Sequence, residues 1–350
     1  MNEQASLRDE RLTVLRGPEA IDQALRDGAL QVAGRGAWHD DPRVNDLIDR
    51  MPSMHDDDAR RAGLAPLRPL LSPDAAREAA PSMRLEMRAL ALAAYAVPSP
   101  MDLVDCYTSL IAPTFLRSHL GLESVVSARD LRAFSLSLTA ELVRQGPPGA
   151  ARVDVIVDVS RRLEGFAGSL RRSRGGDHPL GPLIAAVPDD RDVAAVVCLL
   201  ASGGQETVSS LTCSVLLAIT EGSINDERWR GEPVAVVDEI AGMLPPIMTL
   251  ARQARQGTEV DGVAIPAGRT VLLDLTSLSG SAALAFGMGI HRCLGRSVAR
   301  TIVPVAVDEL LDVMPHLRDA AFDWSGSPVP GVFRGPLRMS VSCPSGAAGV

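Results

Sequence analysis

Apolar residues recur at helical spacing through most of the middle of the chain. One-sided apolar patterns of this kind predict amphipathic helices, here over residues 74–95, 99–122, 128–145 and 190–222. The last stretch is the longest and the most apolar; Asp189 or Asp190 is a suitable N-cap, and Gly222 ends it. We therefore predict that helix dominates the chain from about residue 74 to about residue 222.

The two ends of the chain show the shorter alternation that is typical of strands. LTVL at 12–15 predicts a strand, and PEAIDQALRD at 18–27 predicts a helix with proline in its first turn. Residues 260–275 alternate β-branched residues around a Pro-Ala-Gly turn. Residues 31–60 are polar and irregular, which predicts a surface loop.

The last third of the chain mixes helix with sheet. We predict a helix over residues 233–244 that ends at Pro245, a final helix after Cys293, and a closing strand in FRGPLRMSV. The predicted fold class is mainly α with minor β in a single domain spanning 1–350. Its β-containing part covers about 1–30 and 255–350, and its helical part about 50–250.

Composition and charge exclude several classes of protein. The chain has 350 residues, 46% of them hydrophobic, enough to bury a large core. A net charge of −8 and 3% aromatic residues argue against nucleic-acid binding. The N-terminus MNEQASLRDERLTV is not a secretory signal, and no apolar run approaches the ~20 residues of a membrane span. We expect a cytoplasmic protein without membrane contact.

A loop with two spaced glycines and one cysteine carries the sharpest chemical signal. Residues 285–295 read AFGMGIHRCLG. Gly287 and Gly289 permit positive φ and close approach of another group to the backbone. Cys293, at the start of a predicted helix, meets free N–H groups that favour the thiolate, which can ligate heme iron. Taken alone, a cysteine in such a turn is more often a buried structural residue than a metal ligand.

Two glycines and an acid–hydroxyl pair interrupt the long apolar helix. Gly203 and Gly204 each cost ~1 kcal/mol relative to alanine, so they require either a flat ligand against the backbone or tight helix packing. Glu206 and Thr207 follow directly, and polar groups inside an apolar helix are expensive unless paired or hydrated.

The cysteine loop resembles the heme-binding signature of the cytochrome P450 family, through FGxGxHxCxG followed by RSVAR. The resemblance implies heme b as the cofactor, with Cys293 as the axial iron ligand and Phe286 packed beside its sulfur. It further implies that Gly287 and Gly289 let the loop pass under the porphyrin and that His291 reaches a heme propionate.

The segment GGQET at 203–207 resembles the oxygen-activation segment of the same family. The resemblance implies that Gly203 and Gly204 face the heme. Thr207 would then hydrogen-bond oxygen at the heme, and Glu206 would relay protons from solvent.

Two arginines match propionate contacts of the family. Residues 52–73 resemble a helix on which the family carries a histidine and, four residues later, an arginine; Arg60 and Leu64 stand in those places here. Arg60 can still bind a carboxylate, although a solvated surface arginine is an equal reading. Arg252, in LARQAR, matches a second propionate contact.

The chain departs from the family in three places. The family has a Glu-x-x-Arg pair, but here Glu239 is followed by Gly242. The irregular meander before the cysteine loop is essentially absent, since only 17 residues separate Gly268 and Phe286. Because the pair normally anchors the meander, the two losses are coherent: a buried arginine without its partner would be costly. The usual first helix is also missing.

The resemblance implies a monooxygenase acting on a small apolar natural-product intermediate by hydroxylation, epoxidation or oxidative coupling. Its electrons would come from a ferredoxin and its reductase. The missing meander keeps open a peroxide-driven reaction, or a non-redox rearrangement, cyclisation or dehydration. A third reading is a non-catalytic helper protein of the same family, although such helpers generally lack the cysteine.

Overall fold

The computed structural model describes residues 12–32, 39–56, 58–142, 147–173, 175–327 and 330–341. Helices make up most of this part, which confirms the predicted mainly α fold with minor β. The helices are α1 Pro18–Arg26, α2 Pro42–Arg50, α3 Asp58–Leu64, α4 Pro73–Tyr95, α5 Leu103–Cys106, α6 Ile111–His119, α7 Ala128–Leu142, α8 Ala150–Arg172, α9 Gly181–Ala186, α10 Asp190–Thr220, α11 Asp226–Gly231, α12 Pro233–Met243, α13 Ala282–Ala285 and α14 Arg296–Val313.

Helix α10 is the centre of the larger hydrophobic core. The carboxylate of its N-cap, Asp189, accepts a hydrogen bond from the Arg191 backbone N–H at 2.9 Å. Twenty of its residues are buried against α6, α7, α8, α12 and α14. Gly203 and Gly204 lie within an unbroken α-helix, so packing on both sides outweighs their low helix propensity.

In the described ranges, nine strands form three small sheets beside the helices: β1 Leu12–Leu15, β2 Leu30–Gln31, β3 Met101–Asp102, β4 Thr249–Ala254, β5 Thr258–Val260, β6 Val263–Ile265, β7 Thr270–Asp274, β8 Phe322–Ser325 and β9 Arg338–Val341. The largest has the order β1-β7-β4-β2, with β1 parallel to β7 and the other pairs antiparallel. A second, smaller hydrophobic cluster joins this sheet to α1.

The predicted surface loop over residues 31–60 is wrong for most of its described part. Asp41 caps α2 by accepting a hydrogen bond from the Arg43 N–H at 2.9 Å. Val44, Leu47 and Ile48, spaced i, i+3 and i+4, are buried in the main core. The many charged residues around them concealed this apolar face. Residues 33–38 and 57 lie outside the described part.

The single helix predicted over residues 99–122 is also wrong. Met101 and Asp102 pair with β9, and the Asp102 side chain caps α5 through the Val104 N–H at 3.0 Å. A 3-10 turn then leads into α6. The buried Tyr107 hydroxyl donates to the Ala306 carbonyl at 2.6 Å and fixes this break against α14. Strand β4, at the boundary between the predicted helical and β-containing parts, was missed.

Gly242 accommodates the short connection that leads to the cysteine loop. A Cβ at this position would lie 2.6 Å from the Gly280 carbonyl carbon and 2.7 Å from the Ala282 nitrogen. The backbone between β7 and α13 therefore lies directly on α12, where no side chain fits. Glu239 instead pairs with Arg228 of α11. The arginine and the meander are thus absent together, because the short connection packs where the arginine side chain would lie.

Among the described helices, none combines the length and apolar character needed to cross a membrane.

Replacing Gly242 by alanine should lower the free energy of unfolding by about 1–3 kcal/mol, because the added methyl group must displace backbone atoms rather than a mobile side chain. Denaturant unfolding measures this change. Gly165→Ala is the matched control: Gly165 lies within α8 and nothing lies within 4 Å of its added Cβ. That variant should be neutral or more stable. Equal stability of Gly242→Ala and wild type would contradict the packing argument.

Candidate functional site

The cysteine loop links α13 to α14 and is closed on itself by one backbone hydrogen bond. The Cys293 N–H donates to the Phe286 carbonyl at 2.8 Å. Gly287 and Gly289 have φ of 71° and 64°, the left-handed region that glycine tolerates best. A Cβ on Gly289 would lie 2.7 Å from the Leu25 carbonyl, so this glycine also lets the loop pack onto the end of α1.

Cys293 is exposed, whereas Cys198 and Cys213 of α10 are buried. The surrounding protein nevertheless raises the pKa of the Cys293 thiol; hydrogen bonding from the Gly295 and Arg296 backbone N–H groups acts in the opposite direction. The predicted thiolate-favouring groups are therefore present, but desolvation outweighs them. Coordination to a metal removes the proton from a ligating thiol, so this balance does not oppose iron binding.

Phe286 lies at the other end of the same loop. It packs against the main core, and the Arg296 guanidinium lies 5.3 Å from the centroid of its ring. A cation over an aromatic face at this distance is attracted by the ring quadrupole. Phe286 thus connects the cysteine loop to the first turn of α14.

Two buried arginines lie beside the cysteine loop. Arg60 of α3 donates to the Ile290 carbonyl at 2.9 Å and to the Pro52 carbonyl at 3.0 Å. Arg252 of β4 donates to the Ala251 carbonyl at 2.8 Å. Burial lowers the pKa of both guanidinium groups. Within the described ranges, neither arginine has a carboxylate within ion-pair distance.

His291 completes this group and brings in a carboxylate that sequence reasoning missed. Its Nε2 lies 2.5 Å from Asp56 Oδ1, and Asp56 Oδ2 accepts from the Val32 N–H at 3.0 Å. Burial lowers the pKa of His291, while the hydrogen bond with Asp56 acts in the opposite direction. The charges of Arg60 and Arg252 also disfavour protonated His291, which places all four side chains in one electrostatic group.

This cationic cluster, Arg60, Arg252 and His291 with Asp56, fits the carboxylates of a heme. Among the side chains that the structure describes, the two buried guanidinium groups lie near a single carboxylate, that of Asp56, and buried charge without a partner is costly. Heme b carries two propionate carboxylates, and arginine is the side chain best suited to bind a carboxylate in a buried site. The cluster contacts the loop at Ile290, three residues before Cys293.

The glycine pair of α10 is not explained by helix packing. A Cβ on Gly203 would meet nothing within 4 Å, and one on Gly204 would make ordinary contact with Ala112 at 3.7 Å. Gly203 is exposed, although Ala201 and Gln205, two residues away on either side, are buried. The structure thus has open space beside this helix backbone, as a flat ligand lying against the glycines would require.

Thr207 and Glu206 differ in how their polar atoms are satisfied. The Thr207 hydroxyl donates to the Gly203 carbonyl at 2.9 Å, which leaves its lone pairs free to accept a proton donor. Glu206 is buried, and its Oε1 has no hydrogen-bond partner among the described residues. Burial raises the pKa of Glu206 to about 7, partly offset by the charge of Arg132.

The charge of Arg132 lowers the pKa of Glu206, and sequence reasoning did not identify this arginine. It lies on α7 and donates to Asp105 Oδ1 at 2.7 Å, where the Asp105 side chain is 63% exposed. The glutamate, the arginine and the exposed aspartate thus form a sequence of ionisable groups from the interior to solvent.

The structure brings Arg60, Arg252 and His291 together, but no hydrogen bond among the described residues joins them to residues 203–207. The two groups belong to elements that pack on each other: α10 contacts α14, which begins just after Cys293. The cysteine loop and the glycine segment are thus held by one helix pair.

No model of a protein family matches the chain. Among curated proteins, it is 30% identical over 255 residues to nocardicin C N-oxygenase of Nocardia uniformis subsp. tsuyamanensis, covering 63% of this chain and 61% of that protein. It is 28% identical over 246 residues to cytochrome P450 105C1 of a Streptomyces species, covering 63% and 62%. The match spans about three-fifths of the length of these relatives.

Solved structures share the fold across nearly the whole chain. P450BioI in complex with a fatty-acid-ligated acyl carrier protein superposes with a TM-score of 0.78 at 19% identity, covering 94% of this chain and 91% of that one. CYP268A2 of Mycobacterium marinum in complex with pseudoionone gives a TM-score of 0.78 at 21% identity, covering 94% and 86%. The chain therefore has the fold of the bacterial cytochrome P450s.

The raised pKa of Glu206 predicts a pH-dependent difference between wild type and Glu206→Gln. The unfolded chain ionises this carboxyl at its ordinary pKa, but the folded protein does so only near pH 7, so its contribution to stability falls as pH rises between those values. Relative to wild type, the free energy of unfolding of the glutamine variant should rise by up to about 3 kcal/mol from about pH 5 to about pH 8.

Denaturant unfolding of both proteins across that pH range measures the difference. Glu259→Gln, at an exposed position of β5, is the control and should follow wild type at each pH. A Glu206→Gln difference that stays constant with pH would show that Glu206 is ionised throughout.

Proposed function

We propose that this relative of the bacterial cytochrome P450s is a single-domain heme-thiolate monooxygenase that oxidises a small apolar natural-product intermediate. The observation that carries the proposal is the cationic cluster beside the Cys293 loop, where Asp56 is the one carboxylate near two buried guanidinium groups within the described part of the chain. The curated relatives are cytochrome P450 oxygenases and hydroxylases, which supports the reaction class. Since they are matched over about three-fifths of their length, the activity of the whole protein remains our proposal.

The residues that would hold heme b lie on three parts of the chain: α3, β4 and the cysteine loop. Cys293 would supply the thiolate ligand of the iron, with Phe286 at the other end of its loop. Arg60, Arg252 and His291 would receive the propionate carboxylates. When bound, the heme would supply dioxygen activation, in which electron donation from a thiolate ligand favours cleavage of the O–O bond.

The chain's own polar residues on α10 would manage protons. Glu206, with a pKa of about 7, can both take up and release a proton near neutral pH, which suits a relay group. Thr207 holds its hydroxyl against the Gly203 carbonyl and can present its oxygen to a proton donor. Gly203 leaves the adjacent space free of side-chain atoms.

The substrate class rests on what the relatives act on. Their names include a nocardicin C N-oxygenase and an erythromycin C-12 hydroxylase of Saccharopolyspora erythraea, the latter 27% identical over 240 residues. A natural-product intermediate is therefore the substrate class we propose for this chain.

For the electron source, we propose a ferredoxin with its reductase. Peroxide is the alternative, and one observation favours it: the connection between β7 and α13 lies directly on α12, with no room at Gly242 for the arginine of the family's pair. The surface on this side of the protein consequently differs from that of a relative with a meander.

Reduction by dithionite under carbon monoxide tests the proposal. The wild-type protein should show the red-shifted Soret band that gives cytochrome P450s their name, because the ligand opposite carbon monoxide is a thiolate. Cys293→Ser should lose this band. Cys106→Ser, at a half-buried cysteine of α5, should keep it. A folded wild-type protein that takes up no heme, or a Cys293→Ser variant with an unchanged band, would contradict the proposal.

Thr207→Ala should divert reducing equivalents from product to hydrogen peroxide, raising peroxide per NADPH consumed by roughly tenfold or more, since a positioned group in the proton path contributes 10²–10⁴ to the rate. The assay uses a surrogate ferredoxin and reductase, and the first compound that wild type oxidises from a panel including nocardicin C and erythromycin B. Thr212→Ala is the matched control, because its hydroxyl makes the same bond to the carbonyl four residues earlier, at 2.8 Å.

When peroxide replaces ferredoxin and dioxygen, the loss of product formation in Thr207→Ala should largely disappear. Equal coupling in Thr207→Ala and wild type would remove Thr207 from the proton path.

A further inference from the structure

Asp56 occupies an unusual position inside the cationic cluster. It precedes α3, and both of its carboxylate oxygens are used: Oδ1 lies 2.5 Å from His291 Nε2, and Oδ2 accepts from the Val32 N–H at 3.0 Å. The Asp56 side chain is only 13% exposed and the His291 side chain only 12%. Asp56 is therefore built into the site.

The net charge of the cluster depends on whether a ligand with carboxylates is bound. Arg60 and Arg252 each carry one positive charge, and both feel the negative charge of Asp56. Before heme binds, Asp56 offsets part of this buried positive charge, which would otherwise be costly. After heme binds, three carboxylates would share the two guanidinium groups and His291.

We propose that Asp56 is a resident counter-ion of the heme carboxylate site, which stabilises the chain before heme binds and repels the heme carboxylates afterwards. The inference rests on the proposed function, since it requires heme in this site. It assigns a positioning role, because Asp56 acts through His291 and the two arginines rather than on the reacting atoms.

A counter-ion differs from an ordinary structural aspartate in what its removal does to the stability of the heme-free chain and to the retention of heme. Removal of a structural aspartate weakens the fold and the bound cofactor together. Removal of a counter-ion weakens the heme-free chain but strengthens the hold on heme, because the arginines are then fully available to the propionates. The midpoint potential should also rise, since a negative charge near the iron disfavours the added electron.

Asp56→Asn tests this prediction with little change of shape, because the amide oxygen can still accept from the Val32 N–H. Heme transfer from the holoprotein to excess apomyoglobin should slow by about tenfold, the effect expected of one charge several ångströms away at the edge of the protein interior. The heme-free chain should unfold at a lower urea concentration than wild type. Redox titration of the holoprotein should give a higher midpoint potential.

Two further variants complete the experiment. Asp56→Glu keeps the charge and should restore transfer rate and potential towards wild type. Glu259→Gln removes one exposed charge from β5 and should change neither. Heme transfer from Asp56→Asn that is unchanged or faster, or a potential that does not rise, would overturn the counter-ion role; if the heme-free chain does not fold, these two measurements decide alone.

A failure of heme binding and a failure of the Asp56 role give different results. Wild-type protein that takes up no heme contradicts the proposed function itself. Heme-loaded wild type together with an Asp56→Asn variant that releases heme no more slowly contradicts only the role of Asp56.

Discussion

Buried positive charge beside the cysteine loop is the constraint on which the site depends. Arg60 and Arg252 come from α3 and β4, elements far apart in sequence, and the described carbonyls around them satisfy hydrogen bonds without neutralising charge. Asp56 offsets part of this charge, and a further anionic partner would stabilise the site. The four-stranded sheet, α3 and the loop are therefore positioned by electrostatics as well as by apolar packing.

The second organising feature is the close contact between α12 and the backbone that follows β7. In this chain Glu239 forms its ion pair with Arg228 on the neighbouring helix, so the carboxylate that the family uses within α12 is satisfied elsewhere. The apolar core around α10 depends little on this rearrangement, because most of its helix contacts come from α6, α7, α8 and α14 and only a minor share from α12. The fold thus tolerates a large local change while the helical core stays intact.

Sequence reasoning identified the parts of the site that are encoded locally. The loop around Cys293 and the glycines of α10 were found because residue spacing within a few positions determines their chemistry, and Arg60 and Arg252 were found through short motifs. Asp56 was not found, because its partner His291 is 235 positions away and no local pattern marks it. Helix α2 was missed for another reason: its three apolar residues are outnumbered by charged neighbours, and only tertiary packing shows which face is buried.

The contact at Gly242 has a consequence for how such a chain can change over generations. Restoring a large side chain there without lengthening the connection would force backbone atoms together, whereas lengthening the connection alone would leave the longer segment without an anchoring arginine. Each step taken singly is unfavourable, so the long and short forms are separated by a barrier that a single substitution does not cross. A lineage in this state would keep its short connection even where selection favoured the longer one.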